Sequence, residues 1–140
     1  MNCGIDPGRY KIGLAFAENS ELLFSAIVPK NDEQAVADAL NLKSWQGISK
    51  WCMEGNIKNL SGKILRKIYI GNGTSSSEIQ QLLYGLETEV VNEYGSTLAG
   101  RKRYWELHRP KGLWRLIPVS LRVPPRNIDD LAAWVIIKDF

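Results

Sequence analysis

Asp6 is the residue of this chain best placed for metal chemistry. It ends the apolar run Cys3-Gly4-Ile5, and Pro7-Gly8 turns the chain directly after it. Gly13, in the next apolar run, leaves the facing strand without a side chain. A carboxylate at a strand end, next to positions where the backbone can be approached closely, suits a divalent cation and a phosphate group. The motif therefore indicates one corner of a metal-dependent nuclease site.

Three further acids lie where they could join Asp6. Glu93 follows a second apolar run, and Asp129 and Asp130 begin the last helical pattern. Because parallel strands present their carboxyl ends to ligands, these acids predict an oxygen-rich pocket for Mg²⁺ or Mn²⁺ and for attack of water on a phosphodiester. Ordinary solvation, or the helix dipole for the last two, explains each acid equally well when it is taken alone. Neighbouring helical residues point about 100° apart, so the choice between Asp129 and Asp130 stays open.

The segment 101–126 has the strongest charge bias in the chain. Its single acid is Glu106, and Tyr104, Trp105 and Trp114 lie among its basic residues. Phosphates attract such a surface, and aromatic rings can stack on unpaired bases. A solvated helix face with core aromatics explains the same pattern, so charge alone leaves both interpretations open. The predicted nucleic-acid contacts are Arg101, Lys102, Arg103, Arg109, Lys111, Arg115, Arg122 and Arg126.

Composition limits the class of protein. A chain of 140 residues with 44% hydrophobic content suits one domain with a real core, spanning 1–140. Cys3 and Cys52 lie far apart and His108 is the only histidine, which argues against a zinc site or a disulfide framework. We expect no membrane span and no export signal, and hence a cytoplasmic protein.

The elements that must position the acids follow from apolar periodicity. Strands near 2–7, 11–18 and 22–29 predict an antiparallel three-strand meander, and a β-α-β unit with parallel strands follows it. Asn127 is the predicted cap of the last helix. The expected fold is α/β, with a mixed sheet and helices on both faces. The remaining predicted segments are a helix after Asn31-Asp32 continuing in broken form to Trp51, strands at 67–71 and 89–93, helices at 75–86, 96–107 and 127–138, and a loop or short elements at 109–126.

Three motifs in this order resemble the RuvC-like and YqgF-like nucleases of the ribonuclease H superfamily. The first is Gly4-Ile5-Asp6-Pro7-Gly8 followed by Lys11-Ile12-Gly13-Leu14-Ala15. The second is Asn92-Glu93-Tyr94-Gly95-Ser96-Thr97, and the third is Ile128-Asp129-Asp130-Leu131-Ala132-Ala133. The resemblance spans nearly the whole chain and implies a ribonuclease H-like fold.

The resemblance also implies an activity and a set of site residues. By position, Asp6, Glu93 and Asp129 match the catalytic metal-binding carboxylates, and Lys11 matches a basic position beside the site, which adds it to the predicted nucleic-acid contacts. The implied reaction is hydrolysis of structured nucleic acid with Mg²⁺ or Mn²⁺, the substrate being Holliday junction DNA or precursor ribosomal RNA. A junction has two-fold symmetry, so its resolution would need paired sites and a homodimer, whereas RNA trimming would not.

Departures from the family pattern motivate two alternatives. Asn92 and Tyr94 stand where the YqgF pattern has an acid and an arginine, and Arg126 stands where the RuvC-type resolvases have another acid. These changes favour, as the alternative, a catalytically inactive module that binds nucleic acid. The hairpin around Asp6 is also similar to the phosphate-binding hairpin of sugar kinases, actin and Hsp70 chaperones. Those proteins clamp ATP between two domains, whereas this chain has room for one.

Overall fold

The first half of the sheet is an antiparallel meander, as the sequence predicts. The computed structural model describes residues 1–73, 75–92, 96–118, 121 and 123–138. Within them, β1 (Asn2–Pro7) pairs with β2 (Lys11–Glu18), and β2 pairs with β3 (Glu21–Pro29). Asn19 and Ser20, which join β2 to β3, both have positive φ (52° and 65°). Positive φ at both positions is the geometry of a two-residue hairpin turn, whose twist matches that of the strands.

Parallel strands complete the other half of the sheet. β5 (Lys67–Gly71) pairs in parallel with β1, and β6 (Thr88–Val91) pairs in parallel with β5. The helix α2 (Ser76–Gln81) connects β5 to β6, which confirms the predicted β-α-β unit. The fold is therefore α/β with a mixed sheet, compatible with the ribonuclease H-like arrangement.

An edge strand that the sequence analysis missed is β4 (Cys52–Gly55), which pairs antiparallel with β3. It gives the six-stranded sheet the order β4-β3-β2-β1-β5-β6. The four residues of β4 carry no alternating apolar pattern, because the strand is held at the sheet edge by backbone pairing and not by a buried face.

The two faces of the sheet are packed differently. On one face, large side chains such as Phe16 and Phe24 form the main core with α1 (Glu33–Leu42) and α2. On the other face, β1 and β2 present the small residues Gly4, Gly13 and Ala15 to α4 (Asp129–Val135). The helix α3 (Ser96–Leu107) packs against α4. The prediction of helices on both faces is confirmed.

Helix boundaries differ in detail from the prediction. α1 ends at Leu42 because Lys43 adopts the left-handed conformation (φ 53°), and the chain resumes as a 3₁₀ helix at Gln46–Trp51. α2 is shorter than predicted, whereas the 3₁₀ helix Gly112–Leu116 is one of the short elements allowed by the prediction for 109–126. The assignment of Asn127 as a helix cap is wrong: the N-cap of α4 is Ile128, whose side chain makes no capping hydrogen bond. Two further 3₁₀ turns lie at Lys30–Asp32 and Ile57–Leu60.

No described helix has the length and apolarity needed to cross a membrane.

Candidate metal and nucleic-acid site

Two glycines place the start of α4 directly over the sheet. Gly13 lies opposite Asp6 in the β1–β2 ladder, and a Cβ at Gly13 would lie 1.9 Å from the carbonyl oxygen of Asp129. A Cβ at Gly4 would likewise lie 2.0 Å from the carbonyl oxygen of Ala133. Only residues without a side chain permit this approach. The helix backbone is therefore seated on β1 and β2, with Asp129 at the end of the sheet where Asp6 lies.

A pocket of about 250 Å³ contains both acids. Asp6 reaches it from the carboxyl end of β1 and Asp129 from the first turn of α4. Arg101 of α3 and Arg126 also line it. The remaining lining residues are Val123, Pro124, Asn127, Ile128 and Ala132. The structure thus brings together two of the acids predicted from the sequence, from opposite ends of the chain.

The electrostatics of the pocket disfavour the ionised form of Asp129. Burial, and then the negative charge of Asp6, raise the pKa of Asp129, while a backbone hydrogen bond and the positive charge of Lys11 oppose the shift. Lys11 is exposed at the start of β2, close enough to act on Asp129. A cation bound between the acids would relieve their repulsion, and carboxylate oxygens are the ligands that Mg²⁺ and Mn²⁺ prefer.

The third predicted ligand lies outside the described residues. Glu93 follows β6, the strand next to β5, but its placement is not described. Among the residues that are described, no group of three or more histidine, cysteine or acidic side chains could hold a metal ion. The role of Glu93 as a catalytic residue and metal ligand therefore stays a prediction.

Asp130 has different surroundings from Asp129. Its side chain is completely buried, with Oδ1 accepting a hydrogen bond from Arg126 Nη1 (2.8 Å) and Oδ2 accepting one from Ser25 Oγ (2.5 Å). Asp129, by contrast, lines the pocket with Asp6. The two adjacent acids therefore face different partners, as the 100° helical spacing predicts.

The predicted nucleic-acid contacts that the structure describes are either partly buried or exposed to solvent. Arg101 is half-buried in the pocket wall, and Arg103 contacts Glu106 (3.4 Å) and lies over the ring of Trp134 (4.7 Å). Arg126 is largely buried among acids. Arg122 lies outside the described residues. The exposed members are Lys11, Lys102, Arg109, Lys111 and Arg115.

Tyr104 is a core residue and not a stacking surface. It is 7% exposed, packs edge-on against Trp105 (4.9 Å between ring centroids) and stacks on His108 (4.7 Å). Trp105 packs against the same small core, formed with α4. For these two residues, the core interpretation of the aromatic pattern is correct. The side chain of Trp114 lies outside the described part of the chain.

Three polar residues beside the pocket were not predicted. Ser25 is buried in β3, Glu54 lies opposite it in β4, and His108 follows α3 and contacts Glu54 (2.8 Å). Ser25 carries a sequence signal, because it is the one hydroxyl within the apolar run 22–28. Glu54 had none, since its strand was not predicted.

Comparisons with known proteins leave the family unassigned. No family model matches this chain, and the search of curated proteins finds no match.

Proposed function

We propose that this protein is a divalent-metal-dependent endonuclease that hydrolyses phosphodiester bonds in structured nucleic acid. The substrate class is branched DNA, such as a Holliday junction, or structured RNA, such as precursor ribosomal RNA. Both cysteines are free thiols, with Cys3 buried and Cys52 exposed, which suits the proposed location in the reducing cytoplasm.

One observation carries the proposal: Asp6 and Asp129 line one pocket, where burial and the negative charge of Asp6 raise the pKa of Asp129. Acids held together at the carboxyl end of a strand, under a helix seated on glycine, suit a divalent cation.

The protein residues have distinct proposed roles. Asp6 and Asp129, with Glu93 as the predicted third ligand, would hold Mg²⁺ or Mn²⁺. When bound, such an ion would activate water and stabilise the charge that develops on the phosphate oxygens. Arg101 lies in the pocket wall, where its positive charge favours binding of a phosphate group.

The exposed basic residues support a nucleic-acid substrate. Arg109, Lys111 and Arg115 are exposed in the segment that runs from α3 towards the pocket residues Val123 and Pro124. Their charges would attract the phosphate backbone without regard to sequence. A homodimer is part of the proposal for a junction only, because two-fold symmetric cleavage needs two sites.

Cleavage of labelled substrates tests the proposal. Four-way DNA junctions and a structured precursor RNA would be incubated with the protein and Mn²⁺, Mg²⁺ or a chelator. Wild type is expected to cleave one of them only with metal, and Asp6→Asn is expected to lower the rate more than about 100-fold. Asp38→Asn is the matched control, since Asp38 is exposed on α1 on the other face of the sheet and its partner Gln34 can still donate to an asparagine.

Two results would contradict the endonuclease. Retained cleavage in a clean preparation of Asp6→Asn would show that the Asp6 carboxylate is not required for catalysis. Metal-independent binding to both substrates without cleavage of either would instead support the alternative, a catalytically inactive nucleic-acid-binding module.

A further inference from the structure

A buried cluster of charged residues lies beside the pocket. The guanidinium of Arg126 donates to both oxygens of Asp130, from Nη1 to Oδ1 (2.8 Å) and from Nη2 to Oδ2 (3.3 Å). Nη2 also donates to Glu54 Oε2 (2.6 Å). The side chains of Asp130, Glu54 and Arg126 are 0%, 15% and 20% exposed. One arginine thus bridges two largely buried acids from different elements.

The cluster connects four parts of the fold. Asp130 belongs to α4 and Glu54 to β4, and Ser25 of β3 joins them because its Oγ donates to Asp130 (2.5 Å) and accepts from the backbone N–H of Glu54 (3.2 Å). Near the end of α3, His108 contacts the Glu54 carboxylate, and Tyr104 places its ring 5.4 Å from the Arg126 guanidinium carbon. Every charged member therefore has hydrogen-bond partners, which offsets the cost of burying it.

The first turn of α4 is tied to the sheet through this cluster. The N-cap residue Ile128 has an apolar side chain that makes no capping hydrogen bond, although such a bond commonly stabilises a helix start. The side chain of Asp130, anchored by Ser25 and Arg126, instead ties the first turn to β3. Asp129 precedes Asp130 directly, so an anchor on one residue constrains the other.

We infer that Arg126 is a positioning residue for the candidate site. The hydrogen bonds from its guanidinium to Asp130 and Glu54 fix the start of α4 and thereby hold Asp129 facing Asp6. The inference rests on the proposed function for the claim that Asp6 and Asp129 hold a metal ion. The anchoring of α4 by Arg126 does not depend on that function. It assigns Arg126 a role different from the phosphate contact expected from the sequence, since its guanidinium is engaged by the protein.

The chemistry of arginine matters to this role. Burial opposes the charge of Arg126, but its hydrogen bonds to Asp130 and Glu54, together with the negative charges of these acids, outweigh burial and raise the pKa of the guanidinium. Lysine would keep the charge without the planar fork that spans two acids. Arg126→Lys therefore separates geometry from charge, and Arg66→Lys, at an exposed position outside the cluster, is the matched control.

Amide hydrogen exchange tests the anchoring without reference to activity. The N–H groups of Leu131 and Ala132 both donate to the Ile128 carbonyl (3.0 Å each) in the first turn of α4. Arg126→Lys is expected to accelerate their exchange at least tenfold, while the amides of β1 and β2 exchange as in wild type and circular dichroism confirms a folded protein. Unchanged exchange at Leu131 and Ala132 would overturn the inference.

Cleavage and binding measurements then test the link to the site. At saturating substrate, Arg126→Lys is expected to cleave about 10 to 100-fold more slowly, with its Kd for nucleic acid within twofold of wild type and the same salt dependence. Ser25→Ala should slow cleavage in the same way. The double variant with Arg126→Lys should lose less cleavage rate than the product of the two single fold-losses, because both residues act through Asp130. A wild-type rate, or a weaker Kd with a shallower salt dependence, would refute positioning. If wild type itself cleaves nothing, the proposed function fails, while the exchange result still decides the anchoring.

Discussion

Gly13→Ala is the substitution that most directly tests how the fold forms the site. The new Cβ would lie 1.9 Å from the Asp129 carbonyl oxygen, 2.3 Å from its carbonyl carbon and 3.0 Å from the Asp130 nitrogen. All three neighbours are backbone atoms, so no side-chain rotation can relieve the overlap. Since carbon and oxygen approach to about 3.3 Å, the start of α4 must move by about 1.4 Å.

A shift of that size has two measurable consequences. Overpacking of this kind costs about 1 to 3 kcal/mol of unfolding free energy, which urea denaturation would detect. Misplacement of a catalytic group by about 1 Å costs about 100-fold in rate, so we expect at least that loss of metal-dependent cleavage per folded molecule. Gly4→Ala, which would overlap Ala133 further along α4, should cost similar stability with a smaller loss of rate.

Gly47→Ala is the control for the glycine itself. Gly47 lies in the 3₁₀ helix after α1, and a Cβ there meets no atom within 4 Å. The unfolding free energy of Gly47→Ala should stay within about 0.5 kcal/mol of the wild-type value, and its cleavage rate should be unchanged. If Gly13→Ala matched Gly47→Ala in both measurements, the close seating of α4 on β2 would be refuted.

Two further predictions concern charge. Replacing three exposed basic residues with alanine should weaken nucleic-acid binding and reduce the slope of log Kd against log salt by up to about 3, because each phosphate contact contributes about 0.9 on a duplex; the three are Arg109, Lys111 and Arg115. Asp129→Asn should raise the thermal midpoint of the metal-free protein at neutral pH, because the raised pKa of Asp129 marks an ionised carboxylate that burial and Asp6 destabilise. The penalty is absent below the ordinary pKa of an aspartate, grows as pH rises through the raised pKa, and is complete above it, so the gain should disappear in acid.

Each of these predictions has its own control. Alanine at Lys50, Lys58 and Arg66, which are exposed elsewhere, should leave the salt slope unchanged; an equal effect of both triple variants would place the binding surface elsewhere. For Asp129, added Mg²⁺ should raise the midpoint of wild type and not of Asp129→Asn. An Asp129→Asn protein that is less stable than wild type at neutral pH would contradict the repulsion between the two acids.

Much of the fold follows from local sequence patterns. The meander of β1 to β3 was predictable because each strand is a long apolar run and tight turns separate the runs. The parallel unit of β5, α2 and β6 followed from a buried strand and a helical segment in the right order. β4 could not be predicted, because an edge strand of four residues is stabilised by pairing with β3 and leaves little trace in composition.

The candidate site was predictable only in part. Asp6 and Gly13 stood out because an acid that ends an apolar strand and a glycine in the facing strand both weaken a purely structural sheet. Asp130 is distinguished from the pocket residue Asp129 by its tertiary contacts with Ser25 and Arg126, which no local sequence pattern encodes. For the same reason, Arg126 looked like any other member of the basic segment.

Direct titration with Mn²⁺ tests the central claim, that Asp6 and Asp129 together hold a divalent cation. Free Mn²⁺ would be followed by electron paramagnetic resonance in the absence of nucleic acid, for wild type, Asp6→Asn, Asp129→Asn and the control Asp38→Asn. We expect wild type and the control to bind Mn²⁺ equally and each site variant to lose at least about tenfold in affinity, because each removes one carboxylate ligand. Equal binding by all four proteins would contradict the claim.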